Sequence, residues 1–173
     1  MMVRPALPGD AAAVGRVHVE AWRSAYAGLL PTEALVGMSA ARHAGQVRHL
    51  IQQGVSVLVA EEGGMVVGFC TAGRPRTPGL ADGEIETLYV LDDWREHGAG
   101  RALLRAAAAA LAERGCRSLF LWVLERNPSR FFYQRLGGRA AQRGTAYVSG
   151  QPFAQMAYVW DPIGSLLTEA APS

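Results

Sequence analysis

Glu84–Arg105 reads E-I-E-T-L-Y-V-L-D-D-W-R-E-H-G-A-G-R-A-L-L-R. Its first third is rich in β-branched, aliphatic and aromatic residues and predicts a strand from Gly83 to Leu91. From Gly98 an alanine-rich run predicts a long helix to Arg114, with Gly115 as its stop. The chain therefore turns from strand to helix across a tight loop holding Gly98 and Gly100. The first helical turn has free N–H groups and a partial positive charge, so such an end binds a phosphate. Glycine keeps side-chain atoms away from the anion, and Arg95 and Arg101 add charge-assisted contacts.

Outward from this unit the hydrophobic period switches repeatedly between strand and helix. Upstream, Val3–Ala6 predicts a strand, and Asp10 caps a helix with the stripe Val14, Val17, Ala21, Trp22, Ala25 that ends near Tyr26–Gly28. Residues 31–36 suggest a short turn of helix. Ser39 starts another helix, which carries Val47, Leu50 and Ile51 and stops at Gly54. Ser56–Ala60 and Met65–Ala72 read as a hairpin, and Arg74–Asp82, with two prolines and a glycine, reads as a loop. Downstream, Arg117–Leu124 is a buried strand, Asn127, Pro128 and Gly137 bracket a short helix, and Arg139–Val148 and Phe153–Trp160 close the sheet. The order describes a mixed α/β domain, with residues 1–165 as a single domain and 166–173 as a loose C-terminal tail.

Composition bounds the reading further. The 173 residues are 50% hydrophobic, enough for one sizeable core. Seventeen Lys plus Arg against fifteen Asp plus Glu leave +2, without a basic run, which argues against a nucleic-acid or anionic-membrane surface. Cys70 and Cys116 sit in apolar segments without metal-ligand spacing and read as core thiols, so no metal is expected. Neither a signal peptide nor a run of about 18 apolar residues is present, and a cytoplasmic location is expected.

Two segments carry a resemblance. Arg95–Gly100 (R-E-H-G-A-G) and Asn127–Gly137 (N-P-S-R-F-F-Y-Q-R-L-G) resemble the signatures of the GNAT superfamily of N-acetyltransferases. These are Arg or Gln before x-x-Gly-x-Gly/Ala, and Asn before a short helix ending in Phe-Tyr-x-x-Leu-Gly. The resemblance spans Gly83–Gly138, and His18–Pro31 (H-V-E-A-W-R-S-A-Y-A-G-L-L-P) is similar to the opening of many small members.

The resemblance implies a twisted, mostly antiparallel sheet of about seven strands flanked by about four helices. It implies acetyl-CoA (coenzyme A) as cosubstrate, and transfer of the acetyl group to a primary amine by direct attack in a ternary complex. Leu88, Tyr89 and Val90 would form the edge along which the pantetheine arm docks, and the sheet would splay between this strand and Arg117–Leu124. The amides of Glu96, His97, Gly98, Ala99, Gly100 and Arg101 would hold the pyrophosphate, with Arg95 beside them, and Asn127 would touch the cofactor. Tyr133 resembles the general acid, and the Leu88 N–H would meet the oxyanion. Asp82, Glu84 and Glu86 recur at period two, and the family places a basic carboxylate at Glu84 or, next to it, Glu86.

The sequence also departs from the pattern. His97 stands where a second Arg or Lys is common, Asp92 replaces a frequent proline, and Asn127 to Tyr133 is one residue short, which would turn Tyr133 by about 100° if the helix began at its usual place. Trp22 reads as core, though its segment usually roofs the acceptor slot. His43 and His49 read as solvated. A catalytically silent acyl-CoA-binding regulator is the alternative from another class. A dinucleotide site fails because position 103 is Leu where G-x-G-x-x-G requires glycine. The acceptor, the preferred acyl chain and a homodimer are left open.

Overall fold

The computed structural model describes residues 1–168. Seven strands form one sheet in the order β1-β2-β3-β4-β5-β7-β6. They are β1 (Met2–Pro5), β2 (Ser56–Glu62), β3 (Met65–Gly73), β4 (Gly83–Val90), β5 (Leu119–Leu124), β6 (Arg139–Val148) and β7 (Gln151–Trp160). Among the described residues only β4 and β5 run parallel, joined by a helical crossover, as parallel neighbours require. Among the described residues the helices are α1 (Ala11–Tyr26), α2 (Thr32–Val36), α3 (Ala40–Gln52), α4 (Ala99–Glu113) and α5 (Ser129–Arg135). The short α2 and α5 bring the count one above the four expected.

Strand β3 shows why the sheet is covered on both faces. Its residues alternate between two cores, with Val67 and Cys70 packed against Leu103, Leu104 and Ala107 of α4, and Val66 and Phe69 against Val14 and Val17 of α1 and Val47 of α3. Cys70 is fully buried and Cys116 half-buried, both as free thiols. Asp10 precedes α1 but does not cap it with its side chain. Its carboxylate instead accepts from Leu7 N at 2.7 Å and pairs with Arg4 at 2.8 Å. The tail expected from residue 166 lies mostly outside the described residues. Leu166 itself is buried, in a 3-10 turn over Ile163–Leu166.

The sheet is irregular on both sides of β4. Across β3 and β4, Thr71 faces Thr87 while Ala72 faces Ile85, so Glu86 is the extra residue of a β-bulge. Across β4 and β5, pairing is limited to Gly83↔Leu119 and Glu84↔Phe120, after which the strands part.

Gly15 marks the tightest helix contact. A Cβ there would run into the carbonyl oxygen of Ala40 and come within 2.9 Å of Ala44 N, whereas at Gly45 it would meet nothing within 4 Å. Gly15→Ala should therefore lose about 1–3 kcal/mol through overpacking, while Gly45→Ala should gain roughly 0.5 kcal/mol from helix propensity. Thermal melts of both variants check this, and equal melting temperatures would refute the close approach.

Candidate functional site

Where β4 and β5 part, a cavity of about 690 Å³ opens between Ile85–Val90 and Leu121–Leu124. Leu88, Tyr89 and Val90 line it. At its end the chain passes through a 3-10 turn (Asp92–His97) into α4, and Gly98 makes the junction with φ +81°, a left-handed conformation suited to glycine. Among the described residues the amides of Gly98, Ala99, Gly100 and Arg101 find no backbone acceptor. Ala102 N is the first to close, onto Gly98 O at 3.0 Å. Arg95, Glu96 and Gly100 line the cavity. Arg95 also pairs with Asp92 at 2.9 Å, and Ser24 bonds the same aspartate, so the residue in place of the usual proline ties α1 to the loop. His97 stacks toward Trp94 and does not line the cavity, Ala99 is fully buried, and Arg101 is exposed.

Helix α5 brings Asn127 and Tyr133 to the same cavity. Asn127 Oδ1 accepts from Ser129 N at 2.9 Å, which starts the helix, and its Nδ2 donates to the Tyr26 hydroxyl at 2.9 Å. One side chain thus caps α5 and ties it to α1. Because α5 begins at Ser129, the shortened spacing does not turn Tyr133 away from the cleft. Its ring packs edge-on to Trp160, its hydroxyl has no hydrogen-bond partner among the described residues, and burial pushes its pKa upward, so the phenol stays protonated.

The three acids expected on one strand face have separate fates. Asp82 accepts from Arg117 N at 2.8 Å and braces the start of β5. Glu84, whose side chain the sequence left facing either water or the acceptor slot, is 1% exposed, and Arg76 occupies both its oxygens through its backbone N–H at 2.8 Å and its guanidinium at 2.8–3.3 Å. That engagement removes Glu84 from the candidates for the base. Glu86, displaced outward by the bulge, does line the cavity, and Arg76 reaches it at 3.4 Å. Arg76 was invisible in the sequence, where it is one of two arginines in a loop.

A second feature missed by periodicity is an aromatic stripe on α1. His18, Trp22 and Tyr26, four residues apart, all line the cavity. Trp22, expected in the core, lies against Tyr26 with ring centroids 4.8 Å apart, and its buried Nε1 has no hydrogen-bond partner among the described residues. His18 stacks on His43 at 3.9 Å and on Tyr89 at 4.9 Å. His43 is therefore half-buried between α1 and α3 rather than solvated, while His49 is exposed. Desolvation, with the His43 charge adding to it, pushes the His18 pKa down to about 4. Among the described residues no group of three His, Cys, Asp or Glu is placed to hold a metal, and no helix is long and apolar enough to cross a membrane.

Comparison with known proteins places this geometry. The family model described as Acetyltransferase (GNAT) family matches residues 19–138. The chain is 31% identical over 167 residues to the uncharacterized N-acetyltransferase YuaI of Bacillus subtilis, covering 96% of each. The crystal structure of a GCN5-related N-acetyltransferase from Rhodopseudomonas palustris superposes with TM-score 0.72 at 27% identity, over 92% of this chain and 94% of that one. The fold also matches yncA of Salmonella typhimurium, solved with its cofactor acetyl-CoA, with TM-score 0.70 at 20% identity over 100% of this chain and 98% of that one.

Arg76→Ala should destabilise the protein by roughly 2 kcal/mol by leaving Glu84 buried and unpaired, tempered because the Arg76 side chain is 57% exposed. Adding Glu84→Gln should recover much of that loss, and denaturant melts showing simple additivity of the two changes would contradict the pairing. The histidine stack gives an acid-side expectation. Between pH 6.5 and about 4 the unfolded chain takes up a proton that folded His18 refuses, so stability falls as pH drops through that window. His18→Phe should flatten this part of the profile relative to wild type in melts from pH 7 to 4. Parallel profiles would show His18 to be solvated.

Proposed function

The chain belongs to the GNAT acetyltransferase family, and on that premise we propose that it moves the acetyl group of acetyl-CoA to a primary amine by direct attack in a ternary complex. The observation that carries this reading is the parting of β4 from β5 beside the free amides of Gly98–Arg101. An amide-rich pantetheine arm fits such a gap as an added strand would, along the backbone of Leu88 and Val90. The diphosphate fits the start of α4, where four N–H groups and the helix dipole meet an anion, with Arg95 at the rim. Asn127, on the opposite wall, can donate to the arm if it releases Tyr26. The acetyl-CoA bound in yncA supports the same assignment.

In the proposed chemistry a proton passes from the acceptor ammonium to Glu86, directly or through water, and the freed nitrogen forms a bond to the thioester carbon. The oxygen that gains negative charge meets the Leu88 N–H. Collapse breaks the carbon–sulfur bond, the departing thiolate takes the Tyr133 proton, and the nitrogen gives up its remaining extra proton through water to the Tyr133 phenolate, which leaves the neutral amide and restores the phenol. Arg76 fixes the direction of the Glu86 carboxylate. The raised pKa of Tyr133 suits this role, since the hydroxyl remains a donor throughout the working range.

Acetyl-CoA at about a hundred times its Kd should stabilise the protein by roughly 2.7 kcal/mol, whereas NAD should not shift the melt. Tyr133→Phe should keep that shift while slowing CoA release, followed as free thiol, by about a hundredfold. An unshifted melt rules out the cosubstrate, and undiminished turnover removes Tyr133 from the mechanism. A wild-type protein that binds acetyl-CoA but releases no thiol with any amine would be a silent binder.

A further inference from the structure

A second chamber, of about 610 Å³, opens beside the cleft between the end of α1 and the β6–β7 turn, with Tyr26 and Leu124 walling both spaces. We propose that this chamber receives the body of the acceptor, and that the acceptor is an amine carried on an apolar body that ends in a carboxylate. The inference rests on the acetyl-transfer reading and adds its substrate class.

The chamber's wall is apolar over a little more than half its area, with Glu125, Arg126 and Gln151 supplying its polar part. Leu29, Leu30, Pro152 and Phe153 line it, and Tyr26, Leu30, Phe153 and Leu124 belong to one hydrophobic cluster. At the junction with the cleft, the rings of Trp22 and Tyr26 offer faces on which an ammonium can rest before it reaches Glu86.

The charges decide between acceptor classes. Glu125 lines the chamber, but Arg143 occupies both its oxygens at 2.8 and 3.0 Å. In the cleft Arg76 spans Glu84 and Glu86. A polycationic amine would thus enter a space whose carboxylates at the acceptor end already have cationic partners among the described residues. Arg126 is the counter-case, since it lines the chamber and makes no ion pair among the described residues. A guanidinium so placed suits a planar carboxylate, which it can grip through two parallel N–H bonds. An acceptor with an amine at one end and a carboxylate at the other spans the two spaces with its charges matched.

The test is thiol release at saturating acetyl-CoA with matched pairs: 4-(aminomethyl)benzoate against 4-methylbenzylamine, and 6-aminohexanoate against hexylamine, with spermidine as the polycation. In at least one pair the carboxylate-bearing member should show a kcat/KM about tenfold higher, and spermidine should be the poorest acceptor. Arg126→Gln should cut that preference by about tenfold, mostly through KM, with a much smaller effect on the bare amine, and Arg126→Lys should restore part of it. Equal rates within both pairs, preference for spermidine, or equal loss for both members in Arg126→Gln would overturn the proposal. Failure of every amine by a protein that acetyl-CoA still stabilises would overturn it while leaving the cosubstrate assignment intact. Absence of that stabilisation would take down both.

Discussion

Parallel strands β4 and β5 share register at only two residue pairs, and beyond them the inward backbone groups of Ile85–Val90 face a gap instead of a neighbour. Backbone N–H and C=O groups left unpaired in a sheet interior are costly, so such a gap is tenable only where water or an amide-bearing ligand can reach it. The bulge at Glu86 contributes to the opening, because a strand carrying an extra residue bends and twists locally. Everything else in the site is arranged around this interruption. Helix α4 starts at its end, α5 closes one side, and α1 lies over the mouth.

Charge placement depends on the same bulge. Glu84, just before the extra residue, is sealed beneath the loop and neutralised by Arg76, while Glu86 reaches the cavity. One guanidinium therefore stabilises a buried carboxylate and orients an accessible one. A lone buried carboxylate would be a liability in a sheet interior, and the loop from Arg74 to Asp82 supplies its partner at the edge of the cleft.

The walls contributed by α1 and by the β6–β7 hairpin are of a different kind. They offer aromatic faces and aliphatic side chains, and the loop between β5 and α5 adds Arg126, a guanidinium without an ion-pair partner among the described residues. His18, on the α1 wall, stacks on His43 behind it, and desolvation keeps the His18 imidazole neutral over the neutral range.

Much of the architecture was legible along the chain. The turn of strand into helix at Gly98, the helix bracketed by Asn127 and Gly137, and the succession of strands come from local rules such as period, capping and glycine conformation, which act within a few residues. The roles of single side chains were less accessible. Trp22 and His43 fit an apolar stripe and a solvated face equally well in one dimension, and only the packing of α1 on α3 and β4 separates those readings. Glu84 and Glu86 share a strand face on paper, and a one-residue bulge gives them opposite surroundings. The amino-acid order fixes which elements form and where the glycine-led start of α4 falls. The partners of Arg76, Arg126 and the α1 aromatics depend on contacts between residues far apart in sequence, which no local pattern encodes.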